Sequence, residues 1–495
     1  MRARLHFPLT LLALALAVAG CGSSDGPLGV ALIDSEEELF ARGLRLSYGG
    51  QVIRAATGAG LVALDAQGEV VPALADRWIV ADEGRSYIFR LRDGEWTDGT
   101  ALTGESARDS LQRAIRELRG TSLGLDLTPV SEVRAMAGRV VEVRLTNPMP
   151  DFLRLLAQPE LSLSHGGFPS GPMSLERDED ATEDGRNVAE LAFRPPEARG
   201  LPLDETWQEG VRPIAISALD PQAALTAFEE GEVDVVLGGR LGTWPLADPG
   251  PLSRGTRRLD PAIGLFGLLV RQESGFLARV ENREALAMAI DRPALLAPFN
   301  IGGWIPTTRV VPAMIAGEGV TERWEGIEIE RLREEARRRV QAWTAGAGSG
   351  EGPVLTVALA DEPGNAAMFN ELAGQWNEIG VTLRLAEEGP GDLVLIDGVA
   401  RYAEPRWFLN QFHCSLRRGA CVPEADEQVR AALAAADPDT RAGSIARADA
   451  MLTAANIYIP LAMPLRWSLV RGDVAGYFDN PWAWHPLPDM ATIPR

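Results

Sequence analysis

The stretch GLVALDAQGEVVPALADRWIVADEGRSYIFRLRDGEWTDGTALTGESARDSLQRAIREL, residues 60–118, decides the fold, because several independent local signals in it agree. Tyr87, Phe89 and Leu91 alternate with Ser86, Arg90 and Arg92, a period of two that puts an apolar row on one face of a strand. Ala81-Asp82-Glu83-Gly84 separates that strand from the run ending at Trp78 to Val80. Gly84 is free to take positive φ there, which predicts a hairpin. Asp93-Gly94 and Asp98-Gly99 mark turns. Thr103 then stands as the cap of a helix whose first turn carries Glu105 and whose Ala107, Leu111, Ala114, Ile115 and Leu118 recur on one side.

Upstream, Arg2 and Arg4 precede an apolar run from Leu9 to Ala19 that is too short to span a bilayer and reads as an export leader, residues 1–20. Val18-Ala19-Gly20-Cys21 has the form of a bacterial lipobox, in which the cysteine receives the lipid and becomes the mature N-terminus. Ordinary cleavage after Ala19 is the alternative. Residues 21–27, with Ser23, Ser24 and Gly26, read as a short tether.

The 495 residues are 46% hydrophobic, enough for a large globular body of roughly two or three domains by length. The formal charge of −21 grows more negative once Arg2 and Arg4 leave with the leader, which makes nucleic acid and anionic lipid surfaces poor partners. The chain contains no lysine. Walker-type phosphate loops, Schiff-base chemistry and Ser-x-x-Lys acylation are therefore excluded. His165, His413 and His485 lie far apart, and there is no Gly-x-Ser-x-Gly elbow. No catalytic group, metal site or cofactor is expected.

Downstream, Val141, Val143 and Leu145 alternate along another strand before Asn147-Pro148 turns the chain. Segment 174–212 is acidic and proline-rich and reads as surface connection. Asp220-Pro221 opens a helix closed by Gly231, and Val233 to Leu237 is a buried strand with Gly238 and Gly239 as a hinge exit. Residues 345–352 are glycine-rich but lack dinucleotide-motif spacing. Leu355 to Leu359, Ala366 to Ile379 and Val381 to Leu385 form a βαβ unit, hence parallel strands. Asp392 to Asp397 is a further strand, and a helix spans 438–455.

These residues resemble the extracytoplasmic solute-binding proteins of family 5, the dipeptide-, oligopeptide- and nickel-binding group of ABC importers. The shared pattern covers Gly60, Leu61, Leu64, Asp65, Gly68, Pro72, Leu74, Ala75, Trp78, Tyr87, Phe89, Leu91, Arg92, Gly94, Trp96, Asp98, Gly99 and Thr103. It continues in DPQAALTAFEEGEVDVVLGG (residues 220–239), in Arg283 with Asp291-Arg292-Pro293, and in Ile457-Tyr458-Ile459-Pro460-Leu461. Around Gly166 to Met173 the family's glycine pattern is altered.

The resemblance implies an α/β, two-lobed (Venus-flytrap) periplasmic binding protein of the large peptide-binding type with an extra small domain. The first lobe would comprise 28–60, 165–244 and 463–495, the small domain 61–164, and the second lobe 245–462. The implied function is a substrate-binding lipoprotein in the cell envelope. It would be a monomer, held to the membrane by lipid alone, that delivers a peptide or other small solute to an ABC permease of the inner membrane. The alternatives are the same fold serving as a lipoprotein scaffold or chaperone, or a secreted hydrolase.

Ligands sit at strand ends beside such loops as GVARYAEPRWFLNQFHC, residues 398–414. Dipeptide-binding members carry an acidic residue there for the peptide's ammonium group, and it aligns with Arg401 here; their tryptophan aligns with Gly398 and their Asp-Asn with Arg406-Trp407. Arg271 replaces the family's usual asparagine. A planar guanidinium suits carboxylate or phosphate, so the expected solute is anionic or N-blocked, contacted by Arg401, Glu404 and Arg271, with Tyr402, Trp407 and Phe408 for stacking. The competing reading pairs Arg401 or Arg406 with Glu404 or Asp397. Cys414 and Cys421, beside His413, lack the ligands of a zinc site and are expected as a disulfide in an oxidising compartment.

Overall fold

The computed structural model describes residues 26–177, 184–248, 255–347, 350–387 and 389–493. The leader and Cys21 lie outside them. Two large sheets organise the chain. The first runs Met173–Arg177, Ala189–Phe193, Ile214–Leu219, Leu28–Ile33, Val235–Arg240, Leu465–Val470, Arg257–Pro261. Leu28–Ile33 is apolar along its length because it is a central strand, parallel to both neighbours, with Leu28 opposite Ile214 and Val30 opposite Val235.

The second sheet runs Thr382–Leu385, Val354–Ala358, Leu393–Val399, Gly264–Val270, Tyr458–Ala462. Its βαβ unit joins Val354–Ala358 to Thr382–Leu385 in parallel through the helix Pro363–Asn377. The chain crosses between the two sheets twice, at 262–263 and at 463–464. There Gly264 lies against the Gly398 carbonyl, where a Cβ would come within 2.0 Å. An ion pair between Arg466 of the first sheet and Asp397 of the second, 2.7 Å, spans the crossing.

A separate four-stranded antiparallel sheet, in the order Ala75–Ala81, Ser86–Leu91, Val140–Leu145, Val130–Met136, forms the small domain. The hairpin turns at Asp82–Gly84, with Gly84 at φ 86°. Gly104–Glu117 packs on the sheet through Ala107, Leu111 and Ala114, its N-terminus closed by a capping box between Thr103 and Ser106. Phe152 packs on Tyr87, whose hydroxyl donates to the Met149 carbonyl at 3.0 Å. Among the described residues no helix is long and apolar enough to cross a membrane.

Three expectations need correction. The sheet changes at 261/264 and not at 244/245, because Arg257–Pro261 pairs with Leu465–Val470 in the first sheet. Segment 174–212 is not all surface connection. Met173–Arg177 and Ala189–Phe193 pair as the edge of that sheet, with Met173 and Leu191 buried, and the acidic flanks masked the alternation. Gly238-Gly239 is not a hinge exit, since the strand continues to Arg240. Gly239 lies against the indole of Trp467, 2.1 Å from where a Cβ would stand, and so serves close packing.

Candidate functional site at the lobe junction

The strand Leu393–Val399 delivers the predicted ligand loop to the junction. Ala400 N–H donates to Ile263, fixing the exit, and Glu404 then precedes the short helix Pro405–Asn410. This loop meets the small domain. The Arg401 guanidinium pairs with Glu160 at 3.1 Å. The Tyr402 hydroxyl donates to Asp126 Oδ1 at 2.9 Å, and Asn410 Nδ2 donates to the same oxygen at 2.7 Å. Arg406 donates to the Asp126 carbonyl from both terminal nitrogens, 3.2 Å each, and lies over the Tyr402 ring. Asn147 of the small domain donates to the Leu433 carbonyl.

Asp126 is fully buried, and burial raises its carboxyl above the usual range, an effect opposed by Arg406, Asn410, Arg401 and Tyr402. Burial and the neighbouring Asp126 likewise push the Tyr402 phenol upward. The loop and the small domain thus share one buried polar network. Each of its contacts joins a residue of the second lobe to one of the small domain.

Beside this network is a cleft cavity of about 310 Å³. The first lobe supplies Arg45 and Ser47, the small domain Thr121, Ser122 and Glu160, and the second lobe Arg401. Next to it, partial burial and then the positive fields of Arg401 and Arg45 hold the Arg418 guanidinium below its usual value. Of the two carboxylates on the wall, Glu160 is bonded to Arg401. Glu38 is raised, chiefly by its hydrogen bond with Asp34. Arg45 and Arg401 thus share the wall with two carboxylates, Glu38 and Glu160, and Arg418 adds a further positive charge close by.

The structure divides the expected ligand set. Arg401 lines the cleft cavity, but its partner is Glu160, neither Glu404 nor Asp397; Asp397 is taken by Arg466. Tyr402, Trp407 and Phe408 are not presented for stacking. All three are buried in the core, with Trp407 edge-on to Phe408 at 5.0 Å. Glu404 lines a different cavity, where burial raises its carboxyl. Arg271 stands behind the cleft and donates to the carbonyl of Arg418. Cys414 and Cys421 are joined, Cα–Cα 5.3 Å. Among the described residues no His, Cys, Asp and Glu cluster could hold a metal ion.

Asp126, Arg45 and Arg418 carried no local signal, since each acts through a distant partner. Glu160 did carry one. It is the only carboxylate in FLRLLAQPELSL, residues 152–163, and a charge inside an apolar run demands a partner.

Two sheets joined by a double crossing, with a small domain closing over the junction, define a two-lobed binding protein. The profile described as bacterial extracellular solute-binding proteins, family 5 Middle, matches residues 69–191 and 210–416, more than half of the chain. The chain belongs to that family. It is 28% identical over 290 residues to "Probable deoxycholate-binding periplasmic protein YgiS" of Escherichia coli K12, covering 53% of this chain and only 52% of that relative. It is 23% identical over 472 residues to the periplasmic oligopeptide-binding protein OppA of the same strain, covering 84% and 83%. The crystal structure of Haemophilus influenzae OppA in complex with RPPGFSPFR superposes with a TM-score of 0.79 at 17% identity, over 95% of this chain and 100% of that one.

Proposed function

We propose that this protein is the solute-receiving component of an ABC importer, anchored in the cell envelope by lipid on Cys21, and that it captures an anionic or N-blocked, peptide-like solute in the cleft. Residues 61–164 act as an added domain on the first lobe. The observation that carries the reading is that Arg45 of the first lobe and Arg401 of the second line one cavity of about 310 Å³, with Arg418 behind them close enough to feel both charges. A carboxylate entering between Arg45 and Arg401 would accept hydrogen bonds from guanidinium groups of both lobes. Relatives named for oligopeptide and for deoxycholate binding support a family whose solutes extend beyond free peptides.

No reaction is required. The Arg401–Glu160 and Tyr402–Asp126 contacts form only in the closed arrangement, so a solute bridging the lobes stabilises that arrangement by its differential affinity, and the permease reads the closed form. Native mass spectrometry of protein purified from its own host tests the reading. The expected result is a small acidic molecule that is lost in Arg401→Ala. Free unmodified dipeptides binding with micromolar affinity, unaffected by Arg401→Ala, would overturn it.

A further inference from the structure

A further cavity, of about 290 Å³, lies between the small domain and the first lobe. It shares no lining residue with the cleft cavity and takes none from residues 245–462. Two strand ends meet there. Arg92 directly follows Ser86–Leu91 of the small domain, and Arg194 and Arg199 come shortly after Ala189–Phe193 of the first sheet. Close backbone contact brings them together. Gly200 sits at φ 69°, and a Cβ on it would stand 2.8 Å from the Asp93 carbonyl oxygen and 2.9 Å from the Arg92 Cβ.

Carboxylates stand near these arginines in sequence, but none among the described residues pairs with them. Asp93 is taken by Arg139. Asp76 and Glu95 act on Arg92 and Arg194 without forming an ion pair. Arg194 donates to the Gly171 carbonyl at 3.0 Å. The Arg199 guanidinium lines the cavity, makes no hydrogen bond to a described residue, and has no nitrogen sealed inside the protein. The terminal nitrogens of Arg92, also on the wall, are likewise unbonded and open, although its Nε is sealed. Burial, and then the positive fields of Arg92 and Arg194, hold the Arg199 guanidinium below its usual value.

An unpaired arginine on an open surface keeps its head in water. These three are half-buried, and they bring like charges from two bodies to one boundary, a cost that a counter-ion removes. The carboxylates of the cavity, Asp65 and Asp489, stand at its other end. Asp65 is at the tip of the hairpin formed by Val62–Leu64 and Val70–Pro72, and Asp489 accepts from the adjoining Ala66 N–H. Arg92 N–H donates to Leu74, which is level with Gly60, five residues or roughly 16 Å of strand from Asp65. An elongated anion would be driven into those carboxylates, whereas a compact one at the arginine end avoids them.

We propose that the arginine end of this cavity binds a small inorganic oxyanion of the phosphate or sulfate type, which accepts from Arg92 of the small domain and Arg199 of the first lobe and so fastens the two bodies together. The double charge of such an ion suits three neighbouring guanidinium groups better than the single charge of acetate. No wall residue belongs to the second lobe, so occupancy is independent of lobe closure and of what the cleft holds.

The test is titration calorimetry of the soluble Cys21→Ser mature protein with sodium phosphate, and with sodium acetate and sodium chloride at matched ionic strength. Phosphate is expected to bind at a site that survives the cleft substitution Arg401→Ala, and to exceed acetate at least about tenfold in affinity. Arg199→Gln and Arg92→Gln, one on each side of the boundary, are each expected to weaken phosphate by about tenfold or more. Thermal melting gives a second readout. Phosphate should raise the melting temperature of the unsubstituted protein above that in chloride, and each glutamine variant should lose that rise. Phosphate binding no stronger than that of acetate or chloride, or phosphate affinity unchanged in either glutamine variant, would overturn the proposal. So would loss of phosphate binding in Arg401→Ala, which would put the ion in the cleft.

Discussion

The Tyr402 hydroxyl reaches Asp126 Oδ1 at 2.9 Å, a bond between residues 276 positions apart that fastens the second lobe to the small domain. Replacing Tyr402 by Phe keeps the ring in its core position and removes only this donor. The buried carboxylate then loses one of its acceptor contacts, a cost of about 1–3 kcal/mol borne by the closed arrangement alone. Affinity for the co-purified solute should fall accordingly, with little change in thermal unfolding. A large drop in melting temperature without loss of affinity would show that the bond serves folding and not closure.

Arg401 and Glu160 separate recognition from closure. In Arg401→Ala the cleft loses a guanidinium and Glu160, almost fully buried, loses its ion-pair partner. Solute binding should weaken by about 1.5–3 kcal/mol if the arginine also bonds the solute. The double substitution Arg401→Ala with Glu160→Gln removes the stranded charge. If it restores affinity fully, the arginine neutralises Glu160 and does not touch solute; calorimetry on both variants decides.

Lipid on Cys21 is checked by intact mass. The protein made in its own host should carry a diacylglyceryl-modified N-terminal cysteine and partition with membranes, and Cys21→Ser behind a non-lipid export signal should be soluble. An unmodified mature chain beginning at Gly20 would refute the anchor.

The disulfide is separable from the site. Peptide mapping without reductant should recover Cys414 and Cys421 linked. Closing so short a loop contributes about 2.5 kcal/mol by chain entropy, so Cys414→Ser with Cys421→Ser should lower unfolding stability by that order. Two free thiols in protein exported to an oxidising compartment would contradict it.

Glu142 supplies the pH signature of the small domain. Burial would raise its carboxyl, but hydrogen bonds from Ser86, Arg144 and Arg134 lower it to about 2 from an ordinary 4.5. A carboxylate depressed in the folded state stabilises fully above its unfolded value and loses that contribution as pH falls through its folded value. Stability should thus decline between pH 4.5 and about 2, by on the order of 2–3 kcal/mol. Glu142→Gln should flatten acid unfolding over that window while costing stability at neutral pH.

The small domain was readable from residues 60–145 because its strands pair with near neighbours in sequence, and the period-two pattern of Tyr87, Phe89 and Leu91 is sufficient to place them. The boundary after Arg257–Pro261 was not readable. That strand finds its partner, Leu465–Val470, some two hundred positions later, and nothing local in RRLDP names it. The loop 398–414 was located from its resemblance, and Arg401 does reach the cleft. Its aromatic neighbours were misjudged for a physical reason: Tyr402, Trp407 and Phe408 look like a stacking platform in sequence, but a six-residue helix at a lobe junction buries large rings before it can offer them.

Two short connectors, 262–263 and 463–464, are all that carries backbone from one sheet to the other, and they run side by side. A plate hung on two adjacent pins can swing but can neither slide nor spin. A swing about these connectors would leave Arg466–Asp397 at the pivot and carry Arg401 away from Glu160 at the far rim. Stiffness at the pivot sets how fast the rim returns, whereas chemistry at the rim sets how long it stays. A membrane partner that senses one angle would thus learn occupancy without touching the solute.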